Sequence, residues 1–123
     1  MTITPEKQHS FLMMLIEQTK SNAITWKQRS TGRSALIEYY APLSEHSDDE
    51  YVLLRAIHDS TTMELIKVRC IVNNPGSEFV LHGNDLIDIA VERLYNLVHS
   101  NEPAIEALID QFLERYRAQG TDQ

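Results

Sequence analysis

The sequence predicts an α+β fold: an N-terminal helix, an antiparallel sheet of four to five strands, and two C-terminal helices. Three observations lead there. Apolar residues recur at helical spacing near both ends of the chain and at strand spacing in its middle. The strand-like segments follow one another with short turns between them, which is how antiparallel neighbours are joined. Strands and helices do not alternate, so a doubly wound sheet with its nucleotide crevice is not expected. At 123 residues the chain suits a single domain, long enough to bury about two-thirds of its unfolded surface without a staple. Disorder is expected only at the ends, over residues 1–3 and 120–123.

The elements follow in order. Thr4-Pro5 supplies a hydroxyl cap and a proline whose missing N–H costs nothing at a helix start. The helix runs to about Lys20, with Phe11, Leu12, Leu15 and Ile16 as its stripe. Ile24–Gln28 alternates apolar and polar residues and reads as a strand with Ile24 and Trp26 inward. Thr31-Gly32 turns the chain into a second strand, Ala35–Tyr40, which Pro42 should stop. Leu43–Glu50 reads as a polar loop, Tyr51–His58 as a third strand, Met63–Val72 as a fourth. Asn73-Asn74-Pro75-Gly76 is a turn, and Glu78–His82 a short fifth strand. Asn84 caps a helix over Asp85–His99 whose apolar positions are Leu86, Ile87, Ala90, Val91, Leu94, Leu97 and Val98. Glu102-Pro103 opens a last helix to about Ala118, with Ile105, Leu108, Ile109, Phe112, Leu113 and Tyr116 as its stripe and Gly120 as its stop.

Charge narrows the function. Eighteen acidic against eleven basic residues give a formal net charge of −7. Direct nucleic-acid binding and docking on an anionic membrane are therefore not expected, since both need a basic face. A protein partner with a basic surface suits the charge. The longest strictly apolar run, Phe11–Ile16, is too short to span a bilayer. The N-terminus has no secretory pattern, and Cys70 is the single cysteine, so a disulfide framework is excluded. The expected location is cytoplasmic.

No catalytic residue, metal site or cofactor is assigned. The five histidines, His9, His46, His58, His82 and His99, are never paired three or four apart. Such local pairs are the usual trace of a zinc site. Glu45, His46, Asp48 and Asp49 lack the glycine and spacing of a calcium loop. Cys70 lies in a strand of apolar neighbours, and Arg69 beside it should point the other way. His58-Asp59 sits at a strand end, where adjacent side chains diverge, so a turn aspartate beside an ordinary histidine is expected. The glycines form no phosphate-cradling loop.

Two charged features remain. Lys20, Lys27, Arg29 and Arg33 surround Trp26 in a stretch without acids. Trp26 is read as a core anchor and the cations as a solvated sheet edge. On the last helix Glu102, Glu106, Asp110 and Glu114 recur every four residues. Like charges at that spacing cost a helix a few tenths of a kcal/mol each. The row is either a solvated face or a docking face, and it is the candidate partner-binding site, with Asp48, Asp49 and Glu50 as a second patch. A runner-up reading is a small-molecule or nucleotide sensor with a pocket between sheet and helices, drawing on Tyr39, Arg55, His58 and Arg69. Met13 and Met14 beside Phe11 and Leu12 give the first helix more apolar surface than one core face needs. A homodimer interface would use it, and so would a helix wholly buried under the sheet.

The opening helix running into Thr19-Lys20-Ser21-Asn22-Ala23-Ile24-Thr25-Trp26 resembles the start of small bacterial and phage-type accessory proteins, over about the first fifth of the chain. The resemblance implies no activity. It implies only a bacterial or phage accessory protein, and many such small acidic proteins bind and block another protein, as immunity and anti-defence inhibitors do. The missing chemistry together with the acidic row of the last helix makes a non-enzymatic protein-binding module, such as an inhibitor of that kind, the leading expectation.

Overall fold

The computed structural model describes residues 3–45 and 47–121. Its elements are α1 (Pro5–Lys20), β1 (Lys27–Arg29), β2 (Leu36–Ser44), β3 (Ser47–His58), β4 (Leu65–Asn74), β5 (Ser77–Val80), α2 (Asp85–Ser100) and α3 (Glu102–Thr121). The fold is α+β, with the predicted order of helix, five antiparallel strands and two helices.

Local chemistry sets the boundaries that were legible. The Thr4 hydroxyl accepts from the Lys7 N–H at 3.2 Å, and Pro5 fills the first helical position. The Asn84 side chain accepts from the Ile87 N–H at 3.0 Å and starts α2. Pro75-Gly76 turns β4 into β5 with Gly76 at φ 91°. Glycine takes that conformation without a Cβ penalty.

The sheet is a meander, β1-β2-β3-β4-β5, every neighbour antiparallel. Tyr39 pairs with Leu54, and Leu54 with Cys70. With side chains alternating along each strand, Ala41, Val52, Leu54, Ala56 and Cys70 fall on one face. There they form the core with Leu12, Leu15 and Ile16 of α1 and Ile87, Leu94 and Tyr95 of α2. Buried Gln8 ties the start of the chain to the connection between β5 and α2. Its amide donates to the Ile3 carbonyl at 3.0 Å and accepts from the His82 N–H at 2.8 Å. The other sheet face carries no helix, yet Leu53 and Ile71 on it are buried, with Tyr40 and Val80 as their register neighbours.

Several expectations are corrected. The predicted strand at Ile24–Gln28 pairs only from Lys27, because the N–H groups of Ala23 and Ile24 bond the Gln18 carbonyl and wind the chain over the end of α1. Trp26 still anchors this crossing, half-buried against the core, with its indole N–H on the Thr19 hydroxyl at 2.9 Å. Pro42 does not stop β2. The strand shifts register between Pro42 and Ser44 and continues, so most of the predicted 43–50 loop is a hairpin. A register irregularity is where a strand tolerates proline. β4 starts at Leu65 rather than Met63. The Asp59 carboxylate takes the Thr61 and Thr62 N–H groups, and Met63 is left at φ 62° in the turn.

The helices differ too. Leu86, expected inward, is 64% exposed. α3 runs through Gly120 to Thr121. Ile3, expected to be disordered, holds Gln8, while Met1, Thr2, Asp122 and Gln123 lie outside the described residues. The largest departure is α3 itself. A stripe of that kind on a terminal helix of an α+β fold calls for packing over the sheet, and instead the helix stands off with only slight packing on α2.

Candidate functional site

α3 presents the feature least explained by folding. Ile105, Leu108, Ile109, Phe112, Leu113 and Tyr116 are all exposed, Phe112 at 71% and Tyr116 at 74%. A stable helix normally buries such a stripe. Glu106, Asp110 and Glu114 are exposed along one flank of it. Steps of four residues advance about 40° round a helix, so the carboxylate row winds slowly beside the stripe. The side chain of Glu102 lies outside the described residues. The junction with α2 is tight. Asn101 caps α2 in the left-handed conformation, φ 56°, and its carbonyl accepts from the Ile105 N–H at 3.1 Å, so α3 begins without a linker.

The second acidic patch belongs to a different element. Asp49 and Glu50 are exposed near the start of β3, and the Asp49 carbonyl accepts from the Asn73 side chain at 2.9 Å. The side chain of Asp48 and all of His46 lie outside the described residues. The predicted row and the predicted patch thus stand on separate elements.

The structure does not bring Tyr39, Arg55, His58 and Arg69 into one pocket. Arg55 and Arg69 face each other in register on the open side of the sheet, opposite to Leu54 and Cys70. Tyr39 and His58 lie on the helix side, where sequence reasoning missed a cluster. His58 is buried. Its Nδ1–H donates to the Met63 carbonyl at 2.9 Å, which leaves Nε2 to accept from the Tyr95 hydroxyl at 2.7 Å. The Tyr39 hydroxyl and His99 Nδ1 share a bond of 2.9 Å, and the Tyr95 and His99 rings stack 5.2 Å apart. The one sequence signal was Tyr95 and His99 four apart on a predicted helix.

Burial sets the protonation of these groups. It pushes the Tyr95 hydroxyl up to about 12, with the neighbouring Tyr39 adding to the shift, and raises Tyr39 too. Burial, then electrostatic repulsion from the neighbouring His58 ring whenever both would be protonated, hold His99 below its ordinary value of 6.5. The unfolded chain therefore takes up the His99 proton more readily than the fold does. Stability contributed at this position is present above pH 6.5 and falls as the pH drops toward the lowered value. Urea midpoints at pH 7.5 and 5.5 should accordingly differ more in the wild type than in His99→Gln; equal differences would remove His99 from the pH response.

Apart from His99, this cluster supplies no reagent. The phenols stay protonated, His58 is spoken for on both nitrogens, and Cys70 is buried with its thiol pushed up to about 12. A thiol held there behaves as a small hydrophobe. A cleft of about 420 Å³ opens beside the cluster, lined among others by Trp26, Gln28, Tyr39, His99 and Asn101, with no charged residue among the described lining. Its most prominent polar groups already bond one another. Among the described residues no three His, Cys, Asp or Glu side chains come together as metal ligands. Among them too, no helix is long and apolar enough to cross a membrane.

No protein-family model matches the chain, and neither a curated protein nor a solved structure matches it.

Proposed function

We propose that the chain is a non-enzymatic protein-binding module and that α3 is its docking element. The observation that carries this is the exposure of six large apolar side chains on one stripe of a fully formed helix, flanked by Glu106, Asp110 and Glu114. An amphipathic helix offers its apolar face to a groove, and a charged flank selects a groove with a rim of the opposite sign. The partner therefore has a basic surface beside apolar ground. Inhibition of the immunity or anti-defence kind is one use of such a surface, and a cytoplasmic setting fits the buried, reduced thiol of Cys70.

The test is capture on the immobilised chain at low and high salt, with Glu106→Lys/Asp110→Lys/Glu114→Lys beside the wild type. Loss of a salt-sensitive partner from the variant, with an unchanged far-ultraviolet spectrum, is the expected result. Equal capture by both proteins would sink the reading.

A further inference from the structure

The open face of the sheet offers what α3 lacks. Lys27, Arg29, Arg55, Lys67 and Arg69 fall on this face by register, five of the chain's eleven basic residues. Only one carboxylate serves them at close range among the described residues. Glu38 is nearly buried, 2.5 Å from Arg55 Nε and 3.8 Å from Arg29 Nε. Arg69 stands directly opposite Arg55 and has no ion pair among the described residues. Like charges opposed across a ladder destabilise it; Glu38 offsets this at Arg55 and leaves Arg69 without a carboxylate among the described residues. Beside this basic row runs an apolar one, Tyr40, Leu53, Ile71 and Val80 in register, with Tyr51 edge-on to Tyr40 at 6.2 Å.

We propose that the partner of α3 is a second copy of this chain: in a two-fold dimer each α3 lies across the open sheet face of the other copy, its apolar stripe on the Tyr40–Val80 row and its carboxylates against Arg69, Lys67 and Arg55. This rests on the reading of α3 as the docking element and names its partner. The linker-free junction at Asn101 keeps α3 from folding back onto its own sheet. Leu86 and Ile89 on α2 are exposed as well, but charge excludes them as the seat of α3. Asp85, Asp88 and Glu92 surround them and repel an acidic helix. Exchange uses the contact twice, as a two-fold axis requires. Twelve large apolar side chains buried in this way reach the range of a standard interface, about 1,600 Å² in total.

Sedimentation of the full chain tests it with two variants that alter only exposed residues. Glu106→Lys/Asp110→Lys/Glu114→Lys sets a basic helix against a basic face, and Lys67→Glu/Arg69→Glu an acidic helix against an acidic face. Each alone should raise the dimer dissociation constant by roughly a hundredfold or more. Mixed one to one, they should dimerise again, because both exchanged contacts become complementary. Carbodiimide coupling of isotopically mixed wild-type copies should join an α3 carboxylate of one copy to Lys67 or Lys27 of the other, and this readout needs no variant.

A wild type that stays monomeric overturns the proposal. If its capture of another protein still depends on α3, the docking role itself survives. If that capture is lost too, both fall. A dimer indifferent to both variants, or a basic face that retains nucleic acid while the helix variant sediments as the wild type does, also overturns it.

Discussion

Tyr95→Ala should lower the free energy of unfolding by about 3–5 kcal/mol. The side chain is wholly buried, so truncation leaves a cavity at the meeting point of α2 and the sheet. It also removes the donor to His58 Nε2 and the ring stacked on His99. Tyr95→Phe separates the two effects. It keeps the ring and deletes the hydroxyl, leaving a buried imidazole nitrogen unsatisfied at about 1–3 kcal/mol. Urea denaturation with an unchanged slope measures both. Tyr95→Phe as stable as the wild type would mean that the hydroxyl bond contributes nothing.

Leu53→Ala should cost as much as Leu54→Ala, about 2–5 kcal/mol each. Leu54 belongs to the core between sheet and helices, and a large loss there follows from its burial. Leu53 faces the other way, on a surface with no helix above it. A plain two-layer picture would make its truncation cheap. It is only 4% exposed, however, shielded within the row from Tyr40 to Val80. Leu53→Ala within about 0.5 kcal/mol of the wild type, the usual range for surface changes, would show that the row is ordinary surface.

Much of the fold was legible because its signals are local. Thr4-Pro5, Asn84 and Pro75-Gly76 each act on backbone groups within a few residues, and each marks a boundary in the structure. The errors came where a local pattern serves a distant partner. Ile24 and Trp26 alternate like a strand, but they alternate because the chain crosses the end of α1. Pro42 breaks a regular ladder, and the strand absorbs it at a register shift.

The site was legible in part and for the same reason. The acidic row of α3 can be read from spacing alone, and so can the apolar stripe beside it. Periodicity reports that a helix has two faces; it does not report what covers them, and that is why the exposure of Phe112 and Tyr116 came only with the structure. The His58–Tyr95 bond joins residues 37 apart in sequence, and the Tyr39–His99 bond residues 60 apart. No local rule connects them.

The meander has a consequence for how the chain finds its shape. Each strand pairs with the one made just before or just after it, so the sheet can close hairpin by hairpin with short loops. α1 is the exception. It is synthesised first, yet its principal partner is α2, and Gln8 reaches His82 across 74 residues. The entropy of long-range closure is therefore concentrated in one event, the meeting of the first helix with a segment made two-thirds of a chain later.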